Sequence, residues 1–253
     1  MSSMAISLFA FACVFAGAML GIFLRGVVPE SHVTGDSRDT VKVGTAFIST
    51  LTALVLGLLI GSAKGTLDEM NAGLTQTGAK VILFDRLLAR YGPETSPARD
   101  LLRRSVAARV ALIWPDHGSA PSVPEALRSA AGMEAMQEKL GELSPRNDAQ
   151  RALLSQAMQI SGEFAELRWL LFEQSQGSLP GPLLALLLLW LTIIFAGLGL
   201  LAPRNAVVVV VLFVCALSAS GAIFLILEMS QPLEGLIKAS AAPLRSALAI
   251  LGR

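Results

Sequence analysis

Apolar residues gather in four long runs, and between the runs they recur every three or four positions. The runs cover residues 5–24, 43–63, 183–202 and 206–227. Each is close to the roughly 20 apolar residues that a helix needs to cross a bilayer. The first run lies in MSSMAISLFAFACVFAGAMLGIFLRG. It lacks a positive lead and exceeds the apolar core of a secretory signal, so an uncleaved first span is expected. Pro203, Arg204 and Asn205 join the last two runs. Proline stops one helix and asparagine is a good cap for the next, which predicts a tight hairpin.

Between the second and third runs, residues 64–178 are polar. There Leu67, Met70, Leu74, Thr77, Val81, Phe84, Leu88 and Tyr91 alternate spacings of three and four. This is one seam of a helix. No proline separates it from the second run, so span and extension are expected to form a single helix, ending at Gly92 and Pro93. Further helices are expected over 98–114, 124–143 and 148–174, with a Pro-, Ser- and Gly-rich loop at 117–124. After Pro232, Leu233, Ile237, Leu244, Leu248 and Leu251 suggest an amphipathic tail lying in the membrane interface. The expected fold is all-α and polytopic, with four transmembrane helices and a helical polar domain inserted between the second and third. Its parts are a transmembrane hairpin (1–63), an extramembrane domain (64–178), a second hairpin (179–228) and the tail (229–253).

Composition agrees with this pattern. The 253 residues are 53% hydrophobic and 15% charged, against about 25% charged in an average soluble domain. Mean hydropathy is +0.62. A net charge of +1 supplies no basic patch for a nucleic-acid partner. Cys13 and Cys215 both sit in apolar runs, which argues against a disulfide framework. The familiar hydrolase, metalloprotease and phosphate-loop motifs are absent. His32 and His117 are isolated loop residues. No enzyme activity, catalytic residue, metal or cofactor is therefore expected. Near the span ends, Lys64, Arg168, Lys238 and Arg245 on one side balance Arg25, Arg38, Lys42 and Arg204 on the other, so charge does not decide orientation.

The second span has two faces. At about 100° per residue, Thr45, Ser49 and Thr52 share a narrow arc, with Arg38 and Lys42 at its mouth. Gly57 and Gly61 lie nearly opposite and would let another helix approach closely. Hydroxyls with cations at one mouth suit a path for hydrated anions. Alternatively, each hydroxyl bonds its own helix four residues back and does nothing more. Gly17 and Gly21 form a second small pair for helix packing. Glu228 follows a 22-residue span, about 33 Å long as a helix. That length puts it at the membrane boundary, as an interfacial anchor, an ion-pair partner of Lys64 or Lys238, or a gating carboxylate.

Several segments together resemble a known family: LGIFLRGVVPESH, LVLGLLIGSAKGTLDEMN, LFDRLLARYGPE, RWLLFEQSQGSLPGPLL, GLLAPRNA and ALSASGAIFLILEMSQPLEGLIKASAAPLRSAL. The chain resembles the bestrophin-like family of bacterial membrane proteins over almost its whole length. By name, that family is linked to bestrophins, pentameric ion channels with four spans, an inserted cytosolic helical domain and a pore lined by the second span. The resemblance implies a homo-oligomer (a pentamer) in the bacterial inner membrane, with the polar domain and both termini cytoplasmic and Thr45, Ser49 and Thr52 facing a permeating inorganic ion. Two features depart from bestrophins. The second span carries one aromatic, Phe47, rather than a neck of bulky residues, and no acidic cluster resembles a calcium clasp. The competing expectation is a non-conducting scaffold or signalling protein, whose seam from Leu67 to Tyr91 receives a partner helix.

Overall fold

The computed structural model describes residues 2–27, 35–114, 135–175, 181–233 and 235–252. His32, His117 and the loop at 117–124 lie outside this set. All regular structure among the described residues is helical. The elements are α1 (Ser3–Val27), α2 (Gly35–Tyr91), a 3-10 turn (Pro93–Thr95), α3 (Ser96–Ile113), α4 (described over 135–141), α5 (Asp148–Ser175), α6 (Gly181–Leu201), α7 (Ala206–Met229) and α8 (Ala242–Ile250). Four of them, α1, α2, α6 and α7, are long and apolar enough to cross a membrane. The second span and its extension form one uninterrupted helix of 57 residues. Gly92 ends it at φ 142°, a conformation that favours glycine. Asn205 caps α7 by accepting the Val208 amide at 2.8 Å.

The chain divides into two compact units. The first holds Met1–Leu67 and Gly177–Ile237; the second holds Asp68–Gln176 and Lys238–Arg253. In the first, α1 and α6 run side by side in the same direction and meet through glycine. A Cβ at Gly17 would stand 2.9 Å from the Thr192 carbonyl oxygen. One at Gly21 would collide with the Ala196 carbonyl, and one at Gly199 with the Ala18 carbonyl. Their partners are backbone atoms, which cannot swing aside. Phe213 of α7 packs edge-on to Phe11 and Phe15 of α1, at 5.3 and 5.5 Å between ring centroids.

The second unit is a helical domain with its own core. Val81, Phe84 and Leu88 of α2 pack with Leu102 and Val106 of α3, Met136 and Leu140 of α4, and Ala157, Ile160 and Phe164 of α5. The predicted seam is thus filled from within the chain. Asp85, 1% exposed, receives Arg99 through two parallel bonds, Nε to Oδ1 at 2.7 Å and Nη2 to Oδ2 at 3.0 Å. Hydrogen bonding to Asp85 raises the Arg99 pKa above its ordinary value.

The tail departs from expectation. Leu244, Ala247 and Leu251 are buried, and Ala247 and Leu251 belong to the helical domain's core rather than to a free apolar face. Gly78 makes this possible: a Cβ there would stand 2.9 Å from the Pro243 carbonyl oxygen, so the start of α8 sits close on α2. The segment before α8 is also fastened. The Ala239 carbonyl accepts from Trp114 Nε1 at 2.9 Å, and the Ser240 amide donates to Asn71 Oδ1 at 2.9 Å.

Two predictions follow from these contacts. Gly21→Val forces apart two helices in backbone contact, an overpacking cost of about 2 kcal/mol or more. A clear fall in thermal unfolding midpoint in detergent is expected, and an unchanged midpoint would contradict the packing. The second concerns Lys80, which binds Glu163 at 2.8 Å and, with Gln159, lowers the Glu163 pKa from 4.5. A lowered carboxylate pKa stabilises the fold above the unfolded value and loses that contribution as pH falls through the folded value. The stability gap between wild type and Glu163→Gln should therefore be present at neutral pH and close below about pH 4. An equal gap at both would show that ionisation is not its source.

Candidate functional site

The second span is the least covered of the four. Within the chain, 11% of its most apolar window is buried, against 28% for α1 and 22% each for α6 and α7. Its buried face runs through Thr52, Leu59 and Ala63, with Ile48, Val55 and Leu56 packed beside them. Thr45 and Ser49 lie on this face too, half-buried. Thr45 Oγ1 would stand 2.8 Å from a Cβ at Gly197 on α6.

The hydroxyl arc expected to line a pore is therefore turned into the protomer. Ser49 Oγ donates to the Thr45 carbonyl at 2.7 Å and Thr52 Oγ1 to the Ile48 carbonyl at 2.8 Å. Once bonded to the helix's own carbonyls, these hydroxyls need no other partner, and the side chains can pack like small hydrophobic ones.

The opposite face is open. Ala46, Thr50, Ala53, Gly57 and Gly61 are all exposed. A Cβ at Gly57 or Gly61 would meet nothing within 4 Å. The two glycines expected to pack against another helix have no neighbour among the described residues, whereas Gly17 and Gly21 are in tight contact. Within the chain, then, the hydroxyl arc is the more buried side of α2, and the glycine side is exposed together with Phe47, Leu54 and Leu58. At the start of the helix, Lys42 is exposed and paired with Asp39 at 2.9 Å. Arg38 occupies the same first turns; its side chain is outside the described set.

Glu228 stands at the end of α7, 5% exposed. Its Oε2 accepts the backbone amide of Leu236 in a short bond and that of Ile237 at 3.4 Å. Gly235, at φ 81°, leaves room for the carboxylate, since a Cβ there would stand 2.9 Å from Cδ. Backbone amides of the following turn, rather than a lysine, satisfy the acid. This assigns it to holding the chain as it leaves the last span.

At the other end of the spans, two arginines exchange helices. Arg25, near the end of α1, donates through Nη1 to the last carbonyls of α6, to Leu201 at 3.1 Å and to Ala202 in a shorter bond. Arg204, just past α6, donates to the carbonyls of Ile22 (3.3 Å from Nε, 3.2 Å from Nη2) and Phe23 (3.2 Å from Nη2) in α1. Arg25 thus covers carbonyls left unpaired at the end of α6, and Arg204 adds a second bond to carbonyls in the last turns of α1. Sequence reading counted these arginines as charges for orientation and missed the exchange. The signal was their matching place, one just before and one just after the end of two helices with small residues in step. Among the described residues no group of three or more His, Cys, Asp or Glu is placed to hold a metal ion.

A family model, the bestrophin-like domain, matches residues 12–244. No curated protein and no solved structure matches the chain. The match takes in three whole spans, most of the first and nearly all of the helical domain, and the chain is a multi-pass membrane protein belonging to the bestrophin-like family.

Proposed function

We propose that the protein is a homo-oligomeric ion channel in which the open face of α2 lines a central path. The observation that carries this reading is the small, exposed stripe Ala46, Thr50, Ala53, Gly57 and Gly61 on the least buried span. A lipid-facing helix surface is usually bulky and aliphatic, whereas a stripe of small residues gives room beside the backbone for a hydrated ion or a neighbouring subunit. Arg38 and Lys42 at the start of α2 stand with Asp36 and Asp39, so the charge at that mouth is balanced and suits an inorganic ion of either sign. By resemblance the assembly is a pentamer in the bacterial inner membrane, with the helical domain and both termini cytoplasmic. The arrangement calls for no enzymatic chemistry. The scaffold reading relied on an unpartnered seam from Leu67 to Tyr91, and Val81, Phe84 and Leu88 of that seam are buried in the domain's own core.

Ion flux through liposomes containing the purified protein tests the proposal. Wild type is expected to pass ions, Gly57→Leu to reduce flux by about tenfold or more by filling the path, and Ser49→Val to leave it near wild type. A silent wild type would refute conduction. Loss of flux in Ser49→Val with none in Gly57→Leu would refute this face of α2 as the lining.

A further inference from the structure

The exchanged arginines do more than finish two helices. Within the described residues, their hydrogen bonds engage Nη1 of Arg25 and Nε and Nη2 of Arg204, all with neutral carbonyls. That leaves Nε and Nη2 of Arg25 and Nη1 of Arg204 without an acceptor among those residues. Neither guanidinium has a carboxylate partner among them, and Asp39, nearby in sequence, is taken by Lys42. Two positive charges thus sit at the ends of α1 and α6, held among the described residues by neutral carbonyls.

Their position is set by backbone. The Arg204 guanidinium lies directly over Gly26, where a Cβ would stand 2.6 Å from Nη1 and closer still to Nη2. Any larger residue at 26 would displace it. Beside Gly26 the surface of α1 is apolar and open: Phe23 and Val27 are each 63% exposed, and Phe23 supplies one of the carbonyls that Arg204 holds. A pair of forked donors above exposed hydrocarbon matches an amphiphile with an anionic phosphate head and acyl tails. Guanidinium binds phosphate through two parallel bonds, and basic sites between membrane helices are suited to anionic headgroups.

We propose that Arg25 and Arg204 form a binding site for the headgroup phosphate of an anionic phospholipid, with its acyl chains along the exposed end of α1. The site depends on the membrane-spanning assignment of α1 and α6 and not on ion conduction.

Native mass spectrometry and thermal unfolding of the full-length protein in neutral detergent test it, with phosphatidylglycerol, phosphatidylcholine of the same chains, and inorganic phosphate as probes. Wild type is expected to retain phosphatidylglycerol and to gain a higher unfolding midpoint from it, with little response to the other two. Arg25→Gln/Arg204→Gln should weaken phosphatidylglycerol retention by about tenfold or more. Gly26→Val, which keeps both charges but evicts the Arg204 guanidinium, should weaken it in the same direction, and this variant decides the matter if the double variant does not fold. Equal retention of phosphatidylcholine would overturn the proposal, as would full retention of phosphatidylglycerol by Gly26→Val. Saturation of the site by inorganic phosphate alone would overturn the lipid assignment in favour of a free anion.

Discussion

The backbone contact between α1 and α6 is the constraint on which the membrane unit rests. Lipid tails are as apolar as leucine, so burial of hydrocarbon gives little drive for helices to meet inside a bilayer. Close packing must supply it, and glycine allows the closest approach. Gly17 and Gly21 on α1 and Gly199 on α6 bring backbone against backbone, and the same parallel alignment brings the two helix ends together so that Arg25 and Arg204 can exchange carbonyls. With α1 packed on α6 and its aromatic rings on α7, α2 is left at the side of the unit with one face uncovered.

Polar groups at the span boundaries follow one rule. Each is held by backbone: Arg25 and Arg204 by carbonyls of the neighbouring helix, Glu228 by the amides of Leu236 and Ile237, Asn205 by the Val208 amide. Such contacts lock the places where the chain leaves a span. Glu228 shows the consequence. An acid after a long apolar run invites a functional reading, yet its burial and its two amides make it part of a turn. The helical domain handles charge differently. There Asp85 is buried with Arg99 in a forked pair, and Lys80 and Glu163 link α2 to α5.

Much of this was legible in the sequence because it depends on local periodicity. The four apolar runs, the continuity of α2 from Gly35 to Tyr91, its stop at Gly92 and the cap at Asn205 all follow from spacing and turn chemistry. The faces of α2 were not legible. Periodicity shows that Thr45, Ser49 and Thr52 share an arc and that Gly57 and Gly61 share another, but only tertiary packing decides which arc meets α6. Hydroxyls that bond their own helix pack as readily as small apolar side chains, so residue type alone does not decide the face. The tail failed for a related reason: Leu244 and Leu251 form the same amphipathic pattern whether they meet a membrane surface or a protein core, and Gly78 made room for the latter.

The proposed channel requires that the small-residue face of α2 meet water. Single cysteines at Ala53, Gly57, Gly61, Ser49 and Thr52, placed in a chain whose Cys13 and Cys215 have been replaced by alanine, measure this through reaction with a small charged thiol reagent in liposomes. Reaction at Ala53→Cys, Gly57→Cys and Gly61→Cys, with Ser49→Cys and Thr52→Cys protected, is the predicted result. Reaction at Ser49→Cys and Thr52→Cys, with the other three protected, would contradict it.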